Sequence, residues 1–122
     1  KVFFAPSHTF DENTLKAVYE MTEIRVVSDT IAGNVYKKDD LFFLPCQIGK
    51  PRALPLKFVG IALHPNNMSD DDFASLDSFL NIHSEKCIKS FDSISLLDRP
   101  YSLFDGFLRF CYFSMRKLFR KT

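Results

Sequence analysis

The sequence predicts an α/β protein with a mainly parallel sheet, folded as a single domain over its 122 residues. Short runs of β-branched and aromatic residues, typical of buried strands, alternate with segments whose apolar residues recur at helical spacing. Strands are expected near 2–5, 24–27 and 57–63, and helices are expected to begin near residues 11 and 69. This alternation favours parallel pairing, because parallel strands need a crossover connection between them.

Capping residues mark where the helices start. The run Thr9-Phe10-Asp11-Glu12 offers a capping box, in which a side-chain oxygen accepts from the free N–H groups of the first turn. Ser69 precedes three aspartates, and we interpret these as charges that complement a helix dipole rather than as a metal cluster. Residues 101–121 are predicted to form one amphipathic helix with an apolar stripe and five basic residues: Arg109, Arg116, Lys117, Arg120 and Lys121.

A hairpin and an irregular loop are expected between the second and third strands. Apolar residues at 34–36 and 41–44 flank 37–40, which indicates a hairpin with a four-residue loop. Residues 45–55 contain three prolines and one glycine and are expected to lack regular structure. Further on, 87–91 is predicted to be a short strand, and 92–98 a turn of helix that ends before Pro100.

Composition and charge limit the classes of partner and compartment. The net charge of +1 gives no reason to expect nucleic acid. No run reaches the ~18 apolar residues of a membrane span, and no signal-peptide pattern is present. Three cysteines without a CxxC pair favour a reducing, cytoplasmic compartment. We expect Cys46, Cys87, Cys111 and most of the 14 phenylalanines to be buried.

Three polar residues at the ends of predicted strands are candidates for a site. His8 follows the first strand, Asp29 the second and His64 the third. The carboxyl ends of parallel strands lie on one rim, so these side chains are expected to converge on a cleft. Each also has a structural interpretation: a capping histidine, an Asx-turn aspartate and a loop histidine before proline. His83, near a helix C-terminus, is interpreted as structural.

The order of three segments resembles a known family. The segments are Phe3-Phe4-Ala5-Pro6-Ser7-His8-Thr9-Phe10-Asp11-Glu12-Asn13-Thr14-Leu15, then Ile24-Arg25-Val26-Val27-Ser28-Asp29, then Gly60-Ile61-Ala62-Leu63-His64-Pro65. They look like the C-terminal half of the polysaccharide deacetylase-like (NodB-homology) proteins, in a divergent branch with an Ala-Pro-x-His segment. The resemblance covers about residues 2–80. Because the chain starts on Lys1 and is within a strand by residue 2, we also interpret it as the later part of a longer protein.

The resemblance implies a distorted β/α barrel and a metal-dependent carbohydrate N-deacetylase acting on cell-surface polysaccharide such as O-antigen or capsule. In that family a divalent metal activates water, and zinc is the ion expected here. A histidine late in the sequence protonates the leaving amine. His64 matches the late histidine, and Asp29 falls in a segment that supports the catalytic site. Pro6 matches the proline of the Arg-x-Pro motif and, with His8, is expected to contact substrate. His8 is also a candidate metal ligand.

The sequence departs from the family pattern in ways that leave other functions open. Phe4 stands where the motif has arginine, and Ala62 replaces the usual leucine before the late histidine. The Asp base and the His-x-x-x-His metal pair are absent from these residues, so the metal is expected only together with an N-terminal half or a partner chain. One alternative is a non-catalytic carbohydrate-binding relative. Another is an interaction module whose basic, Phe-rich C-terminal helix contacts a membrane surface, peripheral on the inner membrane.

Overall fold

The computed structural model describes residues 1–5 and 10–120, and this part of the chain is a mixed α/β fold. Within it, a four-stranded sheet is formed by β1 (Val2–Phe3), β2 (Val26–Thr30), β3 (Tyr36–Lys38) and β4 (Leu41–Pro45). The helices are α1 (Glu12–Met21), α2 (Asp70–His83) and α3 (Leu103–Arg120). Short 3₁₀ turns cover Pro65–Asn67, Ser84–Lys86 and Phe91–Ser93. The predicted α/β class with a mostly parallel sheet is therefore confirmed.

The sheet has the strand order β1-β2-β4-β3. β1 pairs with β2 in parallel, with Val2 opposite Val26, and β2 pairs with β4 in parallel, with Val27 opposite Phe43. β3 is antiparallel to β4, with Tyr36 opposite Phe43. The core cluster of Val27, Ala32, Tyr36, Leu41 and Phe43 gathers on this sheet, each residue at most 6% exposed. Burial of these side chains fixes the register, since a one-residue slip would turn them to the other face.

The predicted hairpin is present, but its turn is tighter than expected. The strands extend over Lys37 and Lys38, which leaves a two-residue turn of Asp39 and Asp40 in place of a four-residue loop. Both turn residues have positive φ, 51° and 62°, as a type I′ turn requires. Aspartate tolerates this conformation better than most residues because its short side chain bonds locally.

Capping explains where α1 and α2 begin. Asp11 is the N-cap of α1, and its Oδ1 accepts from the Thr14 backbone N–H at 2.8 Å. Ser69 is the N-cap of α2 in a capping box with Asp72, as the sequence predicted for this serine. Thr9, which was also expected to cap α1, lies outside the described residues.

Two predicted elements in the second half of the chain are wrong. Residues 57–63 form no strand, and only Ile61 makes a single parallel bridge, to Ile48. Residues 87–91 form no strand either, since the chain there passes between 3₁₀ turns. The predicted turn of helix over 92–98 is reduced to the 3₁₀ turn Phe91–Ser93. At 57–63 the Gln47 side chain, rather than a neighbouring strand, bonds the Phe58 carbonyl and the Gly60 N–H.

A buried carboxylate anchors α3 to the loop that follows β2. Asp105 is 1% exposed and accepts from the Gly33 backbone N–H at 2.8 Å. The Arg99 guanidinium donates to the same carboxylate through Nη1 at 2.8 Å and Nη2 at 3.2 Å, and also to the Val35 and Asn34 carbonyls. Ser102 and Asp105 exchange hydrogen bonds as a capping box at the start of α3. These contacts join residues 33–35 to residues 99–105, two segments that are far apart in sequence.

Burial of aromatic and cysteine side chains is much less complete than the sequence suggested. Cys87 is exposed, and Cys46 and Cys111 are only half-buried. No residue of α2 is buried. Many phenylalanines expected in the core are exposed by 42% or more: Phe4, Phe73, Phe91, Phe104, Phe107, Phe110, Phe113 and Phe119. The described residues therefore leave large apolar faces open, chiefly on α3, of the kind that mark interaction surfaces.

Candidate functional site

The parallel part of the sheet defines one edge where strand C-termini meet. β1, β2 and β4 run in the same direction. The isolated bridge between Ile48 and Ile61 is also parallel, so the chain through Gly60–Ala62 runs the same way beyond the end of β4. Segments that follow these strands therefore leave the sheet toward a common side, which is where α/β proteins place their ligand sites.

Asp29 lies within β2, near its C-terminal end, and not after the strand as the sequence suggested. Ser28 pairs with Leu44 and Thr30 pairs with Pro45, so Asp29 is the extra residue of a β-bulge. Bulges are over-represented next to active sites, where they redirect a side chain. The backbone position of Asp29 thus agrees with a role at this edge, while its side chain lies outside what the structure describes.

His8 and Pro6 fall outside the described residues, in the segment between Ala5 and Phe10. Their predicted roles in substrate and metal binding stay predictions. The flanking geometry gives their setting: β1 ends at Phe3, Ala5 is buried, and Asp11 caps α1. The segment therefore connects the C-terminal end of a parallel strand to the start of a helix, as in the βα loops that carry catalytic groups.

His64 is three residues beyond the Ile61 bridge rather than at the end of a full strand. Its backbone carbonyl accepts from the Asn67 N–H at 2.9 Å, which makes His64 the N-cap of the Pro65–Asn67 turn. The side chain is exposed and lines a cleft of about 400 Å³. The prediction of a strand at 57–63 is wrong. The chain nevertheless enters His64 in the direction of the parallel strands, as a site at their C-terminal ends requires.

Gln47 holds the segment before His64 against the sheet. Its side-chain Nε2 donates to the Ala32 carbonyl at 2.7 Å and to the Phe58 carbonyl at 2.9 Å. Its Oε1 accepts from the Gly60 N–H at 2.9 Å, and its own N–H donates to the Gly60 carbonyl. The Gln47 side chain is 93% buried (7% exposed), so it replaces the ladder hydrogen bonds that a regular strand would make there.

Gly60 is required by close approach of the backbone. A Cβ at this position would collide with the Pro45 carbonyl oxygen and lie 2.9 Å from the Cys46 Cα. Backbone atoms cannot move aside as a flexible side chain can, so only glycine lets the two segments pack this closely. The position of His64 therefore depends on Gly60 as well as on Gln47.

The His64 cleft lies between the 49–52 loop and the start of α2. Besides His64, its polar lining includes Lys50 and Arg52 from the loop, and Asn67 and Asp72. Lys50 and Arg52 are exposed and form no salt bridge among the described residues. The Asp72 carboxylate accepts from the Ser69 N–H and hydroxyl, which, with the charge of Lys50, lower its pKa. The cleft thus combines an imidazole, an amide and two cations with one carboxylate that is already used as a cap.

A second cleft, of about 380 Å³, lies beside the N-terminus of α1. Its aromatic wall stacks Tyr36 on Phe43, with ring centroids 4.9 Å apart, and sets Tyr101 edge-on against Tyr36. Burial raises the pKa of the Tyr36 phenol. Thr30 Oγ1 is buried in this cleft and forms no well-aligned hydrogen bond with a described residue. The hydroxyl is still close enough to the Tyr36 phenol to offset part of the increase in its pKa. Four charged side chains also line this cleft, those of Asp11, Glu12, Lys38 and Arg109, so it is less apolar than a typical small-molecule pocket.

The described residues do not form a metal site. In residues 1–5 and 10–120, no group of three or more His, Cys, Asp or Glu side chains is close enough to hold a metal ion. The three aspartates at 70–72 begin α2, as expected, and Asp72 caps its backbone. His83, interpreted as structural, lies at the end of α2 with its ring 4.6 Å from that of Phe79.

Sequence reasoning missed Lys50, Arg52 and Gln47. The first two were placed in an irregular loop, and nothing in their spacing linked them to His64. The signal that could have found them is Lys50-Pro51-Arg52, where a proline fixes the backbone between two cations in a loop that immediately precedes the His64 segment. Gln47 gave no sequence signal, because its partners are backbone groups of distant residues.

Comparisons with known proteins add no family assignment. No family model, no curated protein and no solved structure matches this chain. Across the described residues, none of the helices is both long and apolar enough to cross a membrane.

Proposed function

We propose that this chain is part of a metal-dependent carbohydrate N-deacetylase-like protein that acts on cell-surface polysaccharide such as O-antigen or capsule. In this proposal the fold is the C-terminal portion of a distorted β/α barrel, and its substrate binds at the C-terminal edge of the parallel strands. The observation that carries the proposal is the common direction of β1, β2 and the Ile61 segment, with His64 in a cleft beyond the last of them. The β-bulge at Asp29 on the same edge supports it.

The chemistry assigned to this chain is proton transfer and substrate binding. Hydrolysis of an N-acetyl group adds water to the carbonyl carbon and breaks the C–N bond, which yields acetate and an amine whose nitrogen must gain a proton to leave. The His64 imidazole supplies that proton, because it lines the cleft and an imidazole can act as a general acid. Asp29 supports the edge, and His8 with Pro6 contacts the sugar. The described residues do not fit a metal, so the metal is assigned to segments other than these.

NMR of the three histidine rings of the chain tests the proposal. Addition of an N-acetylglucosamine oligosaccharide is expected to shift the imidazole NMR signals of His8 and His64 together, with one dissociation constant. His83, packed on Phe79 at the far end of α2, is the internal control and is expected not to move. A shift of the His64 signal without the His8 signal, or equal shifts of all three, would contradict a binding site shared by His8 and His64.

A second candidate, contact with a membrane surface, is favoured by the exposure of α3. Phe107, Phe110 and Phe119 are 61%, 71% and 72% exposed, and the second half of the helix carries the basic residues. An amphipathic helix of this kind can lie in an anionic interface, where each Lys or Arg contributes about 1 kcal/mol. The alternative is that α3 closes the bottom of a barrel, with the same face packed against the N-terminal half or a partner chain.

Vesicle co-sedimentation tests the membrane candidate. If it is right, the chain binds vesicles with anionic lipid and not neutral ones, and the double variant Phe107→Ser/Phe110→Ser binds about tenfold more weakly, since two phenylalanines no longer enter the interface. The matched control is Ile82→Ser/Ile88→Ser, which removes two apolar side chains of similar exposure outside α3. Absence of binding to anionic vesicles, or equal loss in both variants, would leave packing within the protein as the role of α3.

A further inference from the structure

We infer that the His64 cleft recognises an oxyanion, a carboxylate or a phosphate, carried by the glycan, and that Lys50 and Arg52 bind it. This inference rests on the proposed function and narrows its substrate to acidic polysaccharide. The observation that carries it is that two cations line the cleft of the proposed proton donor, and neither forms a salt bridge with another described residue.

The backbone holds both cations at this wall. The loop leaves the sheet directly after Ile48, whose carbonyl accepts from the Ala62 N–H at 3.0 Å, so the loop and the His64 segment start side by side. Pro51 separates Lys50 from Arg52 and fixes the backbone between them. The side chains therefore extend from a loop tied to the segment that leads to His64, and both line the same cleft.

The charges of the cleft leave a net positive wall. Asp72 lines the same cleft as Lys50 and Arg52, and its Oδ2 accepts from the Ser69 N–H at 2.9 Å and the Ser69 hydroxyl at 3.0 Å. A carboxylate held in this cap does not neutralise both cations. The Arg52 guanidinium presents paired donors that match carboxylate and phosphate oxygens, and Lys50 adds a second point charge. A neutral sugar would use neither charge.

The geometry also places the proposed anion site close to the proposed proton donor, His64. Asn67 and His64 line the same cleft and belong to one 3₁₀ turn, since the Asn67 N–H donates to the His64 carbonyl. A glycan whose acidic group binds Lys50 and Arg52 would bring a neighbouring N-acetyl group toward His64. The cations thus act in positioning and specificity, and His64 keeps the role of proton donor.

The experiment measures binding to the 122-residue chain by calorimetry or NMR, with four probes. These are a neutral N-acetylglucosamine trisaccharide, the matching oligosaccharide with one uronic acid, the matching oligosaccharide with one sugar phosphate, and inorganic phosphate. We expect at least one acidic oligosaccharide to bind about tenfold more tightly than the neutral one, as two charge-assisted hydrogen bonds allow. Comparison of the uronic acid with the sugar phosphate identifies which anion the cleft takes, and inorganic phosphate shows whether the anion binds without its sugar.

The variant Lys50→Gln/Arg52→Gln is expected to lose this preference while it binds the neutral trisaccharide as before. The matched control, Lys86→Gln/Lys89→Gln, removes the same charge from exposed positions outside the cleft and is expected to keep the preference. Equal affinity for neutral and acidic oligosaccharides, no binding of either, or a preference that survives in Lys50→Gln/Arg52→Gln would each overturn the inference.

Failure of the inference is distinguishable from failure of the proposed function. Metal-dependent acetate release from a neutral glycan, with no preference for an acidic one, would overturn the inference and retain the deacetylase-like function. A preference for acidic glycan that depends on Lys50 and Arg52, in a protein that releases no acetate, would retain the inference for a carbohydrate-binding relative and overturn the activity.

Discussion

Replacement of Asp105 by asparagine is expected to lower the free energy of unfolding by about 3 kcal/mol. The reason is that the Arg99 guanidinium and several other donors lose a charged acceptor at a buried position. The Asp105 carboxylate accepts from Arg99, from the Gly33 N–H and from the Ser102 N–H and hydroxyl. An asparagine of the same shape has one acceptor oxygen and turns an amide donor toward these donors.

Urea unfolding of the chain measures this effect. The control is Asp98→Asn, which removes a carboxylate of the same type at an exposed position whose contact with Lys37 is 4.0 Å long. Exposed ion pairs contribute roughly 0–1 kcal/mol, so this variant is expected to unfold much like the parent. If both variants lose the same stability, or if Asp105→Asn loses none, the anchor described for α3 is wrong.

The same carboxylate predicts an acid dependence of stability. Burial alone would raise the pKa of Asp105, but the hydrogen bonds from Arg99, Gly33 and Ser102 outweigh it and lower the pKa from 3.8 to about 2. The folded state therefore binds this proton less readily than the unfolded state. The resulting stabilisation, about 2 kcal/mol, is complete at pH values above 3.8 and is lost as the pH falls through 2. Asp105→Asn should lack this part of the acid dependence.

The sequence predicted elements whose signals are local. Ser69 as the cap of α2, the hairpin around Asp39 and the long amphipathic helix were all visible, because each depends on residues within a few positions of one another. The observed helix boundaries differ from the predicted ones by one or two residues. For example, Ser102 caps α3, so this helix begins at Leu103 rather than at Tyr101. The parallel sheet followed from the alternation of strand and helix.

Features that depend on distant partners were not predictable in the same way. The 57–63 run has the composition of a buried strand, but its place beside β4 is made by the Gln47 side chain and by Gly60, so that one bridge remains. The contact of Arg99 with Asp105 is local, yet the Gly33 amide and the Val35 carbonyl that complete it lie about 70 residues earlier. Amphipathic periodicity marks the apolar face of α3 without naming what covers it, so the sequence left both packing within a barrel and contact with a membrane surface open.

The largest functional effect is expected at His64. In the complete gene product that contains this chain, His64→Ala is expected to lower the rate of acetate release by roughly 10²–10⁴-fold, the contribution of a positioned general acid. The loss should fall on kcat more than on KM, since a proton donor acts in the transition state rather than in substrate binding. His83→Ala is the matched control, because it removes an imidazole that packs on Phe79 and lines no part of the His64 cleft.

Acetate release from an N-acetylated polysaccharide by that gene product, with and without a chelator, is the measurement that bears most directly on the proposed function. We predict release that requires a divalent metal, that His64→Ala nearly abolishes and that His83→Ala leaves unchanged. Release that persists undiminished in His64→Ala, or the absence of metal-dependent release from every N-acetylated glycan offered, would contradict the assignment of this chain to a carbohydrate deacetylase.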